Sequence, residues 1–228
     1  MIIVKNHHQD ESEWISISDM MSGLMIIFLF IALIYMRDVV DATKRFQTIN
    51  ILIVEALEEE FQDDFSKWGA QLDHETLTIS FDEPSIFFET GSSNLKENFQ
   101  LILDDFFPRY LKVLYQFKDH INEIRIEGHT SSIWQEAEND HDAYIKNMEL
   151  SQNRTRNVLD YILSETNIYF YKDWSQYLIT ANGLSSSKRI MVNGLEDIQQ
   201  SQRVDFRVVA NTAEALIQTL QEFFNNEN

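Results

Sequence analysis

Residues 20–36 read MMSGLMIIFLFIALIYM, a run of 17 residues without a charge. Extending it back to Ile15 gives 22 residues and takes in one charge, Asp19. At about 1.5 Å per residue the longer stretch reaches about 33 Å, enough to cross a hydrocarbon core of about 30 Å. Trp14 and Tyr35 stand near its two ends, where interfacial aromatic residues belong. The segment before it, NHHQDESEW, is acidic rather than basic, and RDVVD follows Met36 instead of a small-residue cleavage site. Both features argue for a retained anchor over a signal peptide. A core helix of a soluble protein would have a polar side, whereas this Ile/Phe/Leu run is apolar all round.

Outward from the span, composition narrows the possibilities. The chain has 228 residues, with 18 Lys and Arg against 37 Asp and Glu, for a formal charge of −19. So acidic a chain offers no broad footprint for nucleic acid. It has no cysteine, hence no disulfide, thiolate metal site or thiol nucleophile. No nucleophile triad, P-loop or dinucleotide motif is present, and the chain is expected not to be an enzyme. His129 has no HxxxH or HExxH companion, which favours a hydrogen-bonded structural histidine over a metal ligand.

Asp19 is the residue that most invites a functional reading. An aspartate at the centre of a membrane helix costs about 2.5–3.5 kcal/mol, and less near an end. A carboxyl withdrawn from water is cheaper to hold protonated than charged, so such a group can take up and release a proton. Ser16, Ser22 and Gly23 lie three or four residues away and share its helical face. Small residues there let another helix approach closely. Spacing alone leaves two readings open: an ion-carrying carboxylate facing a partner bundle, or an interfacial Asp capping the helix start.

After the span, residues 37–68 lack Gly and Pro. Val54, Leu57, Phe61, Phe65 and Trp68 recur at helical steps, opposite Glu55, Glu58, Glu59, Glu60, Asp63 and Asp64. This predicts a helical linker over 37–70, pairing with a second copy or packed on its own domain. Further on, Leu77–Phe81 alternates as a strand does. Helical spacing returns over Lys96–Phe117 and Tyr144–Leu163. Strands are expected at Ile124–Ile126, Tyr177–Ala181 and Val204–Val209, with a closing helix over Ala213–Phe224. The expected class is α+β: one N-terminal transmembrane helix and a helical linker, then a β-α-β-α-β-β domain with a mixed sheet. The boundaries read as a tail over 1–13, a membrane helix over 14–36, the linker over 37–70 and a domain over 71–228.

Several motifs carry a resemblance. Phe81 followed by Phe88-Glu-Thr-Gly91-Ser-Ser-Asn-Leu95, then Gly128-His129-Thr130, then Asn147-Met-Glu-Leu150-Ser151-Gln-Asn-Arg154, Gly183, and Arg203-Val204-Asp205-Phe206 resemble, in order, the OmpA-like peptidoglycan-binding domain. The likeness covers roughly residues 75–210. Asp19-Met-Met-Ser-Gly-Leu-Met25, preceded by Trp14, resembles the aspartate-bearing helix of MotB-type stator subunits. The combination is similar to the MotB-like subunits of Zorya antiphage defence systems.

The resemblance implies a role for each part. Two such B-subunits would sit inside a ring of five MotA-like (ZorA-type) subunits, with the homodimer anchored to peptidoglycan. Asp19 would carry protons, or sodium ions as in some members, along a path lined by Ser16, Ser22 and Gly23; no other cofactor is implied. The chain would cross the bacterial inner membrane once, N-terminus cytoplasmic and domain periplasmic. This overrides the count of Arg37, Lys44 and Arg45 against Lys5, which by itself puts the far side inside. Thr130, Ser131, Asn147, Leu150 and Arg154 map to the wall-binding site, Arg154 to the arginine that grips a diaminopimelate carboxylate. Arg154 as a surface ion pair and Leu150 as plain core are the alternatives. Ser131 stands where the family has Asp, which removes a carboxylate; Ser132, Asp140 and Asp142 are the nearby candidates to replace it. A flagellar-type stator subunit and a passive envelope anchor are the other functions such a chain could serve.

Overall fold

The computed structural model describes residues 7–82, 87–89, 91–164 and 166–211, without the side chains of 7–13, 15, 16, 42, 45–47 and 166. The helix expected over Ala213–Phe224 lies outside these residues.

Helix α1 runs from His7 to Trp68 without a proline. It ends at Gly69, whose φ of 58° is the left-handed conformation that commonly closes a helix. Within it, Ile17–Asp41 is long and apolar enough to cross a membrane, with a mean hydropathy of 2.3 and none of its most apolar stretch buried. Two compact units share the chain, and Thr48–Asn211 forms the larger.

That larger unit is built on a five-stranded sheet whose strands lie, in spatial order, at residues 70–73, 78–81, 204–210, 121–128 and 179–183. Strands β1 (Ala70–Asp73) and β2 (Thr78–Phe81) form an antiparallel hairpin. Its turn is held by Asp73 Oδ1, which accepts from the backbone N–H groups of Glu75 and Thr76. Helix α2 (Glu97–Tyr115) follows, then β3 (Ile121–Gly128) and helix α3 (Asp140–Ser164). The short helix α4 (Lys172–Leu178) leads into β4 (Ile179–Gly183), which lies parallel to β3. A small hairpin, β5 (Met191–Val192) and β6 (Leu195–Glu196), precedes β7 (Val204–Ala210). Strand β7 pairs antiparallel with both β2 and β3, so the sheet is mixed.

The sheet is two-faced because its residues alternate. Ile124, Ile126, Val204, Phe206, Val208, Ile79 and Phe81 enter the core. Glu123, Arg125, Glu127, Asp205, Arg207, Thr78 and Ser80 point the other way. On the core side, α2 contributes Phe99, Leu103, Phe106, Phe107, Tyr110, Leu111 and Leu114 at steps of three and four. Phe106 is the hub: its ring centroid lies 5.2 Å from Phe81, 5.1 Å from Phe206 and 5.3 Å from Phe61. Buried side chains of this size each contribute about 1.5–3 kcal/mol.

The structure revises the expected boundaries in three places. Ile53, Val54, Leu57, Phe61 and Trp68 of α1 belong to the core, so packing begins near Thr48 rather than at 71. Arg109 of α2 binds this part of α1, donating from Nε to Glu60 Oε1 at 2.7 Å and from Nη2 to Asp64 Oδ2 at 3.0 Å. Tyr177 and Leu178 finish α4, and the strand expected over Tyr177–Ala181 starts only at Ile179. Finally, the sheet gains an edge strand, β1, that four residues of weak alternation did not announce.

Candidate functional site

Two regions hold the residues that the sequence singles out. The first is the apolar part of α1. Asp19, Ser22 and Gly23 are exposed there, and the side chain of Ser16 lies outside the described residues. Because α1 begins at His7, Asp19 sits about three turns inside the helix. It is therefore not the N-cap that one reading of the sequence made it. Ser22 Oγ donates to the Ser18 carbonyl at 2.7 Å, and Ser18 Oγ to that of Trp14 at 2.9 Å. These hydroxyls satisfy themselves on their own helix, the inexpensive arrangement for a polar group in lipid. A Cβ built on Gly23 would meet nothing within 4 Å, so the glycine leaves an open notch one turn from Asp19.

The second region is a groove of about 590 Å³ at the end of β3. Thr130, Ser131, Asn147, Leu150 and Arg154 all line it, together with Gly91, residues 133–136, Ile198 and Gln202. Asn139 positions the helical side by capping α3: its Oδ1 accepts from Asp142 N–H at 3.0 Å. Asn147, Leu150 and Arg154 then fall three and four residues apart, on one face. The strand side is braced by the loop after β4. Thr130 N–H donates to the Ser185 carbonyl at 2.9 Å, and Ser185 N–H to Ser151 Oγ at 3.0 Å.

Arg154 is the unusual member of the groove. Its side chain is buried, with 5% relative exposure for the residue. Nε donates to the Ser92 carbonyl at 3.0 Å, and the guanidinium carbon lies 4.7 Å from the centre of the Phe88 ring. Among the described residues it forms no ion pair with a carboxylate. Burial alone brings its pKa down to about 10. Among the described residues its other donors meet no carboxylate, and a guanidinium fork is geometrically suited to one. Leu150 is half-buried on the groove wall and is not part of the core. Thr130 Oγ1 is buried without a hydrogen-bond partner.

The candidates for the missing carboxylate lie elsewhere. Ser132 and Asp140 line a separate pocket with Tyr144, Ser186, Ser187 and Arg189. Ser132 is engaged there, its N–H donating to Glu196 Oε1 at 2.8 Å and its hydroxyl bonded to Oε2. Asp142 is spent on Lys146 at 2.8 Å. Glu136 lines the groove itself, and it is the residue that the sequence did not point to. No spacing rule would have found it, because it sits in an irregular loop.

Residues 87–171 match the OmpA family. The fold is similar to that of a putative MotB-like protein from Desulfovibrio vulgaris, at 19% identity and a TM-score of 0.52, covering 75% of this chain and 99% of that one. The class is thus an OmpA-like α+β domain preceded by an apolar helix. The chain is also 42% identical over 222 residues to the Zorya protein ZorB of Escherichia coli strain Crooks, covering 94% of each. It belongs to the ZorB family.

Proposed function

We propose that this chain is the MotB-like B-subunit of a proton-driven membrane motor in antiphage defence. Two copies stand inside a ring of five MotA-like subunits, crossing the inner membrane once with the OmpA-like domain in the periplasm. Asp19 carries the ion, and the groove around Arg154 holds the dimer to peptidoglycan. One observation carries the reading: a carboxylate near the start of the apolar span Ile17–Asp41, about three turns into the continuous helix α1 and on one face with Ser22 and Gly23. An ionisable group in such a place is a functional site by default. One charge moving through 100 mV yields about 2.3 kcal/mol, several times thermal energy, so sequential loading of Asp19 can turn the ring.

In the groove, Arg154 takes a carboxylate of the stem peptide and Thr130 and Asn147 line its approach. Glu136 is the side chain that receives an ammonium in place of a carboxylate at Ser131. The surface charge of −19 repels an anionic polymer at long range, so attachment depends on these contacts.

The test is Asp19→Asn beside Asp19→Glu, each scored for assembly with the ring and for protection against phage. Asn keeps the shape of the side chain and cannot carry a proton. It is expected to assemble and fail to protect, while Glu retains part of the activity. Full protection by the Asn variant sinks the motor reading. It would leave the passive anchor, which the buried guanidinium of Arg154 on the groove favours and which predicts sensitivity at Arg154 alone.

A further inference from the structure

We propose that Glu127, His129 and Asp205 form a binding site for a divalent transition metal, zinc by its ligand types, on the face of the sheet opposite α2 and α3. The inference goes beyond the motor reading and does not depend on it. One potential ligand atom from each of the three residues falls within 4.8 Å of the others. Glu127 closes β3, His129 follows it, and Asp205 faces them from β7, where Glu127 and Asp205 are register partners. The pleat sends all three to one side.

The geometry is that of ligands around an ion. With bonds of about 2.0–2.2 Å in a tetrahedron, neighbouring ligand atoms stand about 3.3 Å apart. His129 Nε2 lies 3.0 Å from Asp205 Oδ2 and 3.9 Å from Glu127 Oε2. His129 is nearly fully buried, at 2% exposure, and among the described residues neither ring nitrogen has a hydrogen-bond partner in good geometry.

The surroundings complete the site. Arg203 Nε donates to Asp205 Oδ2 at 3.1 Å, while Nη1 donates to the Lys188 carbonyl at 3.2 Å. It orients the carboxylate as an outer partner does. A cavity of about 550 Å³, lined also by Ser80, Lys188 and Arg207, adjoins the three residues. It gives the fourth position to a water or an anionic group. Three protein ligands with one open position is a known zinc arrangement, and one imidazole with two carboxylates suits zinc better than calcium.

The test uses the full chain purified in detergent and stripped with a chelator. Zn²⁺ is titrated against a competing fluorescent chelator, with Ca²⁺ as the comparison ion. The expected result is one Zn²⁺ per chain, with affinity at least tenfold weaker in Glu127→Gln and lost in His129→Gln. Glu127→Gln keeps the His129–Asp205 contact, so it reports on the ligand even if the His129 variant misfolds. Equal Zn²⁺ affinity in wild type and Glu127→Gln would assign the ion to surface carboxylates and overturn the proposal. So would the absence of any stoichiometric uptake, which would mark the trio as a proton-bridged cluster.

Discussion

Gly128 and Gly183 are register partners across the parallel pair β3–β4, and one helix, α3, lies against both. A Cβ at Gly128 would fall 2.8 Å from the Ser151 carbonyl oxygen, and one at Gly183 would fall 2.4 Å from the backbone nitrogen of Gln152. The obstacles are backbone atoms, which cannot rotate away. These glycines therefore set how deeply α3 sinks onto the sheet, one turn before Arg154.

Gly183→Ala should consequently damage both fold and groove. Overpacking typically costs about 1–3 kcal/mol, and this contact is at the severe end. Urea unfolding of the variant is expected to show a lower midpoint. Retention on peptidoglycan sacculi should weaken as well, because Arg154 is displaced with its helix. Wild-type stability in Gly183→Ala would mean that α3 rides higher than described.

Arg154 leads to the opposite pairing of effects. It is buried, has no carboxylate partner among the described residues, and carries a charge that burial disfavours. Removing an uncompensated buried charge relieves a desolvation penalty. Arg154→Met should leave the melting temperature unchanged or raised, at the expense of retention on sacculi. A large fall in stability with binding intact would assign the arginine to structure, through Ser92 and Phe88, and not to a ligand.

How much of this was legible beforehand depended on periodicity. The apolar run of α1 and the strips of α2 and α3 are long enough for spacing to reveal them. The groove residues were visible only through the resemblance, because Thr130, Asn147 and Arg154 match motif positions of the OmpA-like domain. Glu136 and Glu196 were not, since irregular loops have no period. The short strand β1 was hidden because its burial alternates only between half-buried and exposed. Treating His129 as a plain structural histidine was reasonable for a lone residue. Glu127 lies two residues away, and only the sheet register brings Asp205 to the pair, from 76 residues further along the sequence.

Acid should weaken the folded domain in a defined window. The Lys67 hydrogen bond, aided by Arg109 against some burial, holds the Asp64 carboxyl below its usual range. Burial pushes Glu123 up, but hydrogen bonds from Thr180 and Arg125 outweigh it and leave it lowered. Burial likewise opposes Asp73, and the bonds from Thr76 and Glu75 win. A carboxyl depressed in the folded state binds fewer protons there than in the unfolded chain, so its stabilisation is complete above the unfolded pKa of about 4. It is lost as pH falls through the lower folded value. The urea midpoint should accordingly change little from these groups between pH 5 and 7 and decline below pH 4. Asp73→Asn should start lower and show a shallower decline. An unchanged slope in that variant would remove Asp73 from the account.

The last prediction concerns where the domain begins. A fragment starting at Ala70 keeps every strand of the sheet, and a boundary at 71 would call it complete. It lacks Ile53, Val54, Leu57, Phe61 and Trp68, all buried in the same core as Phe106 and Phe206. At about 1.5–3 kcal/mol each, these side chains sum to an amount comparable with the whole stability of a domain, about 5–15 kcal/mol. Their loss also strips Arg109 of Glu60 and Asp64 and of the Phe61 ring 4.9 Å from its guanidinium. Fragment 70–211 is expected to aggregate or to lack a cooperative melt. Fragment 48–211, which contains the compact unit, should unfold in one sharp transition. A cooperative melt from the shorter piece, with well-dispersed amide resonances, would return residues 48–69 to the status of a linker.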